Sequence, residues 1–300
     1  MKMKKLFAIF LVLVFAALLL THPTDAGAAV RDGLQLCAKT VVPSLFPFFV
    51  VTALLLRLGL DSVLRPFCAP FMKPLFGLRG ECAAPLLAGF LGGYPTGARS
   101  AAQLYEQGAL TRAEAEKLLG FCNNCGGGFL VGFVGAGIFD SVRVGILLFA
   151  VHIASALLSG MVLCRFARRQ DEPPLLPSCQ LSAHSAPFSA ALVASVSGAI
   201  NSTLTVCAYI VFFRTVTALM PASLPGVVTG AVEMVGAVAS LRGNVLGFVA
   251  AAGVTAWGGL SVHCQTMAVV GELSLRYHTL GKILQTGFAV MMAAVVWRFC

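Results

Sequence analysis

Four long stretches of this 300-residue chain contain no Asp, Glu, Lys or Arg, and this feature restricts the fold more than any other. They run from Leu118 to Phe139, from Val144 to Cys164, from Pro187 to Phe213 and from Gly243 to Gly271. A helix needs about 20 apolar residues to cross a bilayer. Only 11% of the residues are charged and 58% are hydrophobic, whereas soluble domains carry about 25% charged residues. The sequence therefore predicts an all-α, polytopic membrane protein with the lipid bilayer as its main partner.

The N-terminus fits two interpretations. Lysines within the first five residues precede an apolar run from Leu6 to Leu20, and Gly27-Ala28-Ala29 follows it. This pattern fits a cleaved signal peptide, and it also fits a first transmembrane helix with a cytoplasmic N-terminus. We favour the helix, because a multispanning protein needs no cleavage to insert. The predicted organisation is a transmembrane or signal-like segment at 1–36, a first repeat at 37–169, a polar linker at 170–186 and a second repeat at 187–300.

Two further uncharged or nearly uncharged segments are interrupted by helix-breaking residues. Cys82 to Ala98 contains two prolines and four glycines, and Thr215 to Leu241 contains Pro221, Pro225 and Glu233. If Cys82 to Ala98 turns back within the membrane, the basic loops 57–79 and 165–169 share the cytoplasmic side, as the positive-inside rule requires. A full crossing would place the second loop outside. The sequence therefore predicts a re-entrant hairpin.

The two halves of the chain show the same order of features. Each half has an apolar segment, then a broken segment and then a glycine-rich span. The corresponding parts are Thr40 to Phe49 with Thr203 to Phe213, the surroundings of Tyr94 with those of Glu233, and Asn124 to Val131 with Trp257 to Val262. The charge rule makes the first copy start outside and the second inside. We therefore predict a helical bundle of two inverted repeats, each with a broken or re-entrant segment, and such repeats bind solutes near the midplane. A chance similarity between two apolar halves is the alternative.

The segment from Gly92 to Arg99 is the densest candidate for a binding site. It superficially resembles a phosphate-binding loop, but Ala98 and Arg99 stand where that loop needs Lys and Ser or Thr. Glycine and proline at membrane depth instead free backbone groups that a solute can bind. Arg99 either pairs with a carboxylate or anchors the inner loop. The candidates here are Gly93, Tyr94, Pro95, Thr96, Gly97 and Arg99.

A second candidate follows a predicted helix start. Thr111-Arg-Ala-Glu114 is a capping box, and the helix it opens leads to Asn123, Asn124 and Gly126. The adjacent amides can donate to a solute or cap the opposing broken helix, and the glycine allows close approach. Surface capping is the alternative.

Candidates in the second half are Glu233, Ser261, His263 and Gln265. An acid inside an apolar segment is a functional hypothesis by default, so Glu233 is expected to bind a proton or a coupling ion, or to neutralise an arginine such as Arg99. On a helix, Ser261 and Gln265 share a face and His263 points elsewhere; in an extended segment all three align. His263 fits either a proton relay or a packing role.

Other function classes lack the residues that they need. The net charge of +9 comes from scattered basic residues and not from a basic arm, so nucleic acid is not an expected partner. Cys122-x-x-Cys125 has no second pair at metal-binding spacing. The sequence has no H-E-x-x-H, nucleotide-binding or intramembrane serine protease motif. We therefore expect no enzyme, no cofactor and no metal.

Three motifs together resemble a known family. They are Gly93-Tyr94-Pro95-Thr96-Gly97-Ala98-Arg99, the run from Gly108 to Gly126 that ends in Asn123-Asn124-x-Gly126, and Gly258-Gly259-Leu260-Ser261-Val262-His263-x-Gln265. They are similar to those of the YlbJ family of sporulation integral membrane proteins, within the wider group of nucleoside-recognition, or Gate-domain, membrane proteins. The chain differs in having Cys125-Gly126-Gly127, Val235 and Trp257 where the family has Ser-Gly-Pro, Thr and Phe.

The resemblance implies a transporter-like protein of spore formers, linked to the entry of dipicolinate across the outer forespore membrane. The expected function is therefore transport of a small anionic solute by a multi-pass protein of the cell membrane. The alternatives are a membrane assembly or maturation factor without transport activity and a transporter of nucleosides or ions. The sequence is compatible with a homo-oligomer.

Overall fold

The computed structural model describes residues 2–166, 187–221 and 223–299, and the predicted linker at 170–186 lies outside this part of the chain. The described residues form fourteen α-helices and no strand. The helices are α1 Lys2–Thr21, α2 Pro23–Leu36, α3 Val42–Arg57, α4 Leu60–Phe76, α5 Ala83–Gly92, α6 Thr96–Glu106, α7 Arg112–Cys122, α8 Val142–Phe166, α9 Phe188–Ala218, α10 Gly226–Val232, α11 Met234–Ala239, α12 Val245–Trp257, α13 Gly259–Met267 and α14 Arg276–Val296. Two shorter segments are π-helical. Cys37–Val41 joins α2 to α3, and Gly128–Ala136 follows α7.

Five helical stretches in the described part of the chain are long and apolar enough to cross a membrane. They are Pro23–Arg57, Val142–Phe166, Phe188–Ala218, Val245–Met267 and Arg276–Val296. Large apolar side chains on α9 and α14, such as Leu204 and Met291, are exposed, as expected for surfaces that face lipid. The prediction of an all-α, multi-pass membrane protein is confirmed.

Both halves of the chain contain the same succession of elements. A long helix, α3 or α9, is followed by a short helical hairpin, α5–α6 or α10–α11. A helix that is interrupted midway comes next, as α7 with Gly128–Ala136 or as α12 with α13, and then a continuous helix, α8 or α14. The division into domains and the inverted relation of the two halves stay predictions.

Contacts between loops define two ends of the bundle. At one end, Arg79 bonds the carboxylate of Glu114 and the carbonyl of Ala109, and Arg112 bonds the carbonyl of Glu272. At the other end, Gly243 lies next to Phe139. The hairpin α5–α6 starts and finishes at the first end, because Arg79 precedes it and Ala109 follows it. The segment Cys82 to Ala98 therefore turns back, and the hairpin extends to Glu106.

The helix starts and breaks follow from local sequence. The predicted capping box is present: Glu114 N donates to Thr111 Oγ1 at 3.2 Å, and Thr111 N donates to Glu114 Oε2 at 3.0 Å. Pro43 cannot donate to the carbonyl of Lys39 and crowds it, which accounts for the wider π turn at Cys37–Val41.

Two apolar clusters pack the bundle, and the hairpin α5–α6 with its turn contributes residues to both. One joins α3, α8, α12 and the segment Gly128–Ala136, with Leu45, Phe129 and Phe248 buried in it. The other joins α4, α6 and α7, where the rings of Phe76 and Phe121 stack at 4.7 Å. The hairpin is thereby fixed along its length, and Tyr94 of its turn is buried in the first cluster.

Candidate functional site

The turn of the hairpin α5–α6 rests on the interruption after α7. Gly93 adopts φ 71° and ψ −168°, a conformation that is essentially restricted to glycine. A Cβ on Gly93 would lie 2.9 Å from the Gly126 nitrogen. Further along the hairpin, a Cβ on Gly89 or Gly97 would collide with the carbonyl oxygen of Cys122. The glycines of this motif therefore serve close backbone packing of the hairpin on the broken helix.

The turn of the second hairpin, α10–α11, rests on the other broken helix in the same way. A Cβ on Gly259, which has φ 71°, would lie 3.1 Å from both the Met234 nitrogen and the Val232 oxygen. The indole nitrogen of Trp257 donates to the carbonyl of Ala231 at 3.0 Å. Each hairpin turn thus lies against the helix break of its own half.

A cavity of about 50 Å³, the tip pocket, lies between these two turns. Its polar lining comes from Tyr94, Ser261 and Gln265, and its aromatic lining includes Phe48 and Phe49. The full lining is Leu45, Phe48, Phe49, Leu91, Gly92, Gly93, Tyr94, Cys125, Gly126, Gly128, Phe129, Val206, Ile210, Met234, Val235, Ser261, Val262 and Gln265. A water needs roughly 10–15 Å³ of cavity volume, so this pocket has room for a few waters, and a larger solute requires its lining to move.

The structure brings five of the predicted residues to the tip pocket: Gly93, Tyr94, Gly126, Ser261 and Gln265. Ser261 and Gln265 share one face of the helix α13, as predicted for a helical segment, and His263 points away. The His263 ring packs against Trp257 at 4.5 Å and against His278 at 4.9 Å. These ring contacts are the ones expected if His263 has a packing role.

Arg99 lies in a separate cavity of about 130 Å³, the arginine pocket, together with Arg57, Pro95 and Thr96. Arg57 and Arg99 also line an open outer pocket of about 410 Å³. The arginine pocket shares Phe49 and Gly92 with the tip pocket. Three cavities therefore follow one another from the exposed Arg99 to the tip pocket.

The two asparagines lie behind the tip pocket and are fully buried. Asn123 Nδ2 donates to Thr266 Oγ1 at 2.7 Å, and Asn124 Nδ2 donates to the carbonyl of Phe121 at 2.7 Å. These bonds join the end of α7 to α13 and cap α7 itself. In this conformation the asparagines hold the broken helices and do not line the pocket.

Glu233 lies away from the tip pocket. Its carboxylate accepts hydrogen bonds from the nitrogens of Val235 and Gly236, at 2.7 and 2.5 Å, and so caps α11. It lines a cavity of about 470 Å³, the acidic pocket, with Asp25, Asp32 and Arg214. Arg99 is not among the residues that line this cavity, so the basic residue near Glu233 is Arg214.

Sequence analysis missed the most unusual side chain of the centre, Lys282. The last uncharged run of the sequence begins at Ile283, so the charge pattern leaves Lys282 outside the span, whereas α14 begins at Arg276. Lys282 is 0% exposed. Its Nζ donates to Tyr94 Oη at 3.1 Å and to Gln285 Oε1 at 2.8 Å. The available signal was the spacing of Lys282 and Gln285, which places two polar residues on one helix face.

A polar network extends from Lys282 to the helix break. Gln285 Nε2 donates to Asn124 Oδ1 at 3.1 Å and lies 3.2 Å from His152 Nε2. The Cys125 nitrogen donates to His152 Nε2 at 3.0 Å. Tyr94 Oη donates to the carbonyl of Thr255 at 3.1 Å. The network therefore links the first hairpin turn and the first helix break to α8, α12 and α14.

Comparison with known proteins assigns the chain to a family by sequence. The family model described as Gate, nucleoside recognition, matches residues 38–296. The sporulation integral membrane protein YlbJ of Bacillus subtilis (strain 168) is 32% identical over 160 residues, which cover 53% of this chain and 39% of that relative. The match thus spans about two fifths of the relative's length. No solved structure matches the chain.

Helical hairpins whose turns meet broken helices define a multi-pass membrane protein with a pocket between the two turns. The chain belongs to the Gate, or nucleoside-recognition, family. Its resemblance to YlbJ, inferred above from three motifs, is supported by the sequence match.

Proposed function

We propose that this protein carries a small anionic solute across the membrane through the tip pocket. The observation that supports the proposal is the row of three cavities that leads from Arg57 and Arg99 to Tyr94. Neighbouring cavities share lining residues, and no acidic residue lines any of the three. Clefts lined by charge of one sign concentrate ligands of the opposite sign. The arginines would therefore collect anions at the opening, and the hairpin turns would act as the gate.

Dipicolinate is our candidate solute. The chain resembles a protein named for sporulation, and dipicolinate is a planar dianion that the guanidinium groups of Arg57 and Arg99 can bind in bidentate fashion. On this proposal the protein acts in the outer forespore membrane, without enzymatic activity, and a fluorescent fusion followed through sporulation tests that location.

A nucleoside is the second candidate, and the tip pocket itself favours it. Phe48, Phe49 and Tyr94 offer aromatic surface to a planar base, and Ser261 and Gln265 offer hydrogen bonds. The family description, nucleoside recognition, points the same way.

Uptake into liposomes that contain the purified protein separates these functions. Labelled dipicolinate and labelled uridine are offered in turn, with protein-free liposomes as the control. Saturable uptake of dipicolinate that excess uridine does not inhibit is expected. Saturable uptake of uridine alone would assign the nucleoside function instead. If neither solute enters, the transport proposal fails and an assembly or maturation role takes its place.

A further inference from the structure

Lys282 is a fully buried basic side chain in the described structure, and its hydrogen-bond partners are both uncharged. Its Nζ contacts Tyr94 Oη and Gln285 Oε1 and stands 4.9 Å from the centre of the Tyr94 ring. An ammonium group has three donors. Among the described residues no carboxylate lies within ion-pair distance of Nζ. The buried titratable side chains around it are Tyr94, Cys122, Cys125, His152, His263 and His278.

A buried charge without a counter-ion destabilises a protein strongly. Intramembrane charges are for this reason rare and usually functional. The hydrogen bonds to Tyr94 and Gln285 offset part of the cost of removing Lys282 from water. The negative charge that would offset the rest is absent from the described residues near it, and an anionic solute would supply that charge.

The position of Lys282 fits this role, because one side chain separates it from the tip pocket. Tyr94 lines the tip pocket and bonds Lys282 Nζ. Tyr94 also belongs to the hairpin turn that packs on Gly126. The tip pocket, at about 50 Å³, has room for only a few waters, so a larger solute requires its lining to move, and displacement of the turn bearing Tyr94 would make that room. The same displacement would uncover Nζ.

We propose that Lys282 binds a carboxylate group of the solute when the hairpin turn bearing Tyr94 moves. This inference rests on the proposed transport function and assigns its substrate class, which is a carboxylate-bearing anion. Tyr94 is then a positioning residue that holds Lys282 until the solute arrives. Arg57 and Arg99 concentrate the anion, and Lys282 binds it at the centre.

The test compares Lys282→Met and Lys282→Gln with the wild type. Lys73→Met is the matched control, because Lys73 is exposed on α4 and lines none of these cavities. Binding of labelled dipicolinate and of uridine to the purified protein is measured, together with thermal unfolding in detergent. Glutamine keeps an uncharged N–H donor at this position, so this variant preserves a polar side chain in the network if methionine disrupts it.

Both Lys282 variants should bind dipicolinate roughly 10- to 100-fold more weakly, the size expected for loss of one charged hydrogen bond. Any uridine binding should change much less. Without ligand, Lys282→Met should unfold at the same temperature as the wild type or higher, because it replaces a buried basic group that has no counter-ion with an apolar side chain of similar length. Dipicolinate should raise the unfolding temperature of the wild type and of Lys73→Met only.

Three results would overturn the assignment. These are wild-type affinity for dipicolinate in both variants, an equal loss for dipicolinate and uridine, and failure of both variants to fold, which would make Lys282 a structural residue. Each of them leaves the transport proposal standing, provided that the wild type takes up dipicolinate. If the wild type takes up no anion, the transport proposal itself has failed.

Discussion

Gly93 and Gly126 lie backbone against backbone, with 2.9 Å between the Gly126 nitrogen and the point where a Cβ on Gly93 would stand. This contact seats the first hairpin turn on the first helix break. Because Gly93 also has φ 71°, a side chain there meets both a steric and a conformational barrier.

Gly93→Ala is therefore expected to lower the free energy of unfolding by roughly 1–3 kcal/mol and to reduce solute uptake. Thermal unfolding in detergent and liposome uptake are the measurements. Gly287→Ala is the control, since a Cβ at Gly287 in α14 meets nothing within 4 Å, Gly287 lines none of the three cavities and alanine favours a helix over glycine by about 1 kcal/mol. Equal stability of the two variants would show that the turn is not tightly seated.

The sequence indicated the hairpin and the helix breaks because backbone-breaking residues act locally. The prolines and glycines between Cys82 and Ala98 predicted a turn within the membrane, and Thr111 with Glu114 predicted the start of α7. Tertiary relations were harder to predict. The amides of Asn123 and Asn124 face α13 and the carbonyl of Phe121, which depends on how distant helices pack.

Lys282 was missed because a charge at the edge of an apolar run usually marks the end of a span. The helix α14 extends seven residues further than that rule predicts, from Ile283 back to Arg276. Bonds to Tyr94 and Gln285 keep the lysine inside. Only the folded arrangement supplies those partners, because Tyr94 is distant in sequence. The proximity of Arg214 to Glu233 was also missed, because it too depends on the folded arrangement.

The Arg79–Glu114 pair at one end of the bundle predicts a stability that depends on pH. Burial acts to raise the pKa of Glu114, but hydrogen bonds from Arg79 and from the Thr111 nitrogen outweigh it and hold the pKa below its ordinary 4.5. A lowered pKa adds stability above the unfolded-state value, and that stability is lost as the pH falls through the folded-state value.

The unfolding temperature should accordingly fall as the pH drops below about 4.5, and Glu114→Gln should remove that part of the decline. At neutral pH the variant should lose roughly 1 kcal/mol, because it weakens both an ion pair and a helix cap. Glu106→Gln is the control, since Glu106 is exposed at the end of α6. Identical pH profiles for wild type and Glu114→Gln would contradict the argument.

The arginine pocket predicts that uptake depends on ionic strength. Arg57→Gln and Arg99→Gln should each reduce the initial uptake of dipicolinate about 10-fold at low salt, because steering by charge is lost. High salt should shrink the difference from wild type. Arg99→Lys should recover part of the rate, since a point charge still attracts the anion but cannot replace the planar fork.

The exposed Arg242, which lines none of the three cavities, gives the control Arg242→Gln. A salt-independent defect would assign the arginines a structural role.

The two ends of the bundle give a prediction of topology. Single cysteines replacing Lys73 and Arg165 should react with a membrane-impermeant thiol reagent from one face, and a cysteine replacing Arg242 should react from the opposite face. The three positions are exposed, and the positive-inside rule assigns the first two to the cytoplasm. A background without the native accessible cysteines is needed. Labelling of positions 73 and 165 from different faces would exclude the inverted arrangement of the two halves.

Substitution of Glu233 can distinguish a role in folding from a role in transport. Its two oxygens accept from Val235 and Gly236, and the Arg214 guanidinium lies close to Gly236. Glu233→Gln keeps one acceptor and replaces the other with an amide nitrogen that cannot accept. We expect a loss of roughly 1–2 kcal/mol in unfolding free energy, as for other helix caps. If Glu233 also carries a proton or cation, this variant should lose coupled accumulation of the solute and keep downhill exchange.

Arg214 decides between the two roles of Glu233. Combining Arg214→Gln with Glu233→Gln should cost less than the sum of the single changes, because each single variant leaves one charge without its neighbour. Detergent stability of the four proteins gives the coupling, and accumulation against a gradient gives the transport role. Additive stability losses together with unchanged accumulation in Glu233→Gln would leave Glu233 as a helix cap alone. Loss of accumulation at unchanged exchange would make the acidic pocket the entry of the coupling ion.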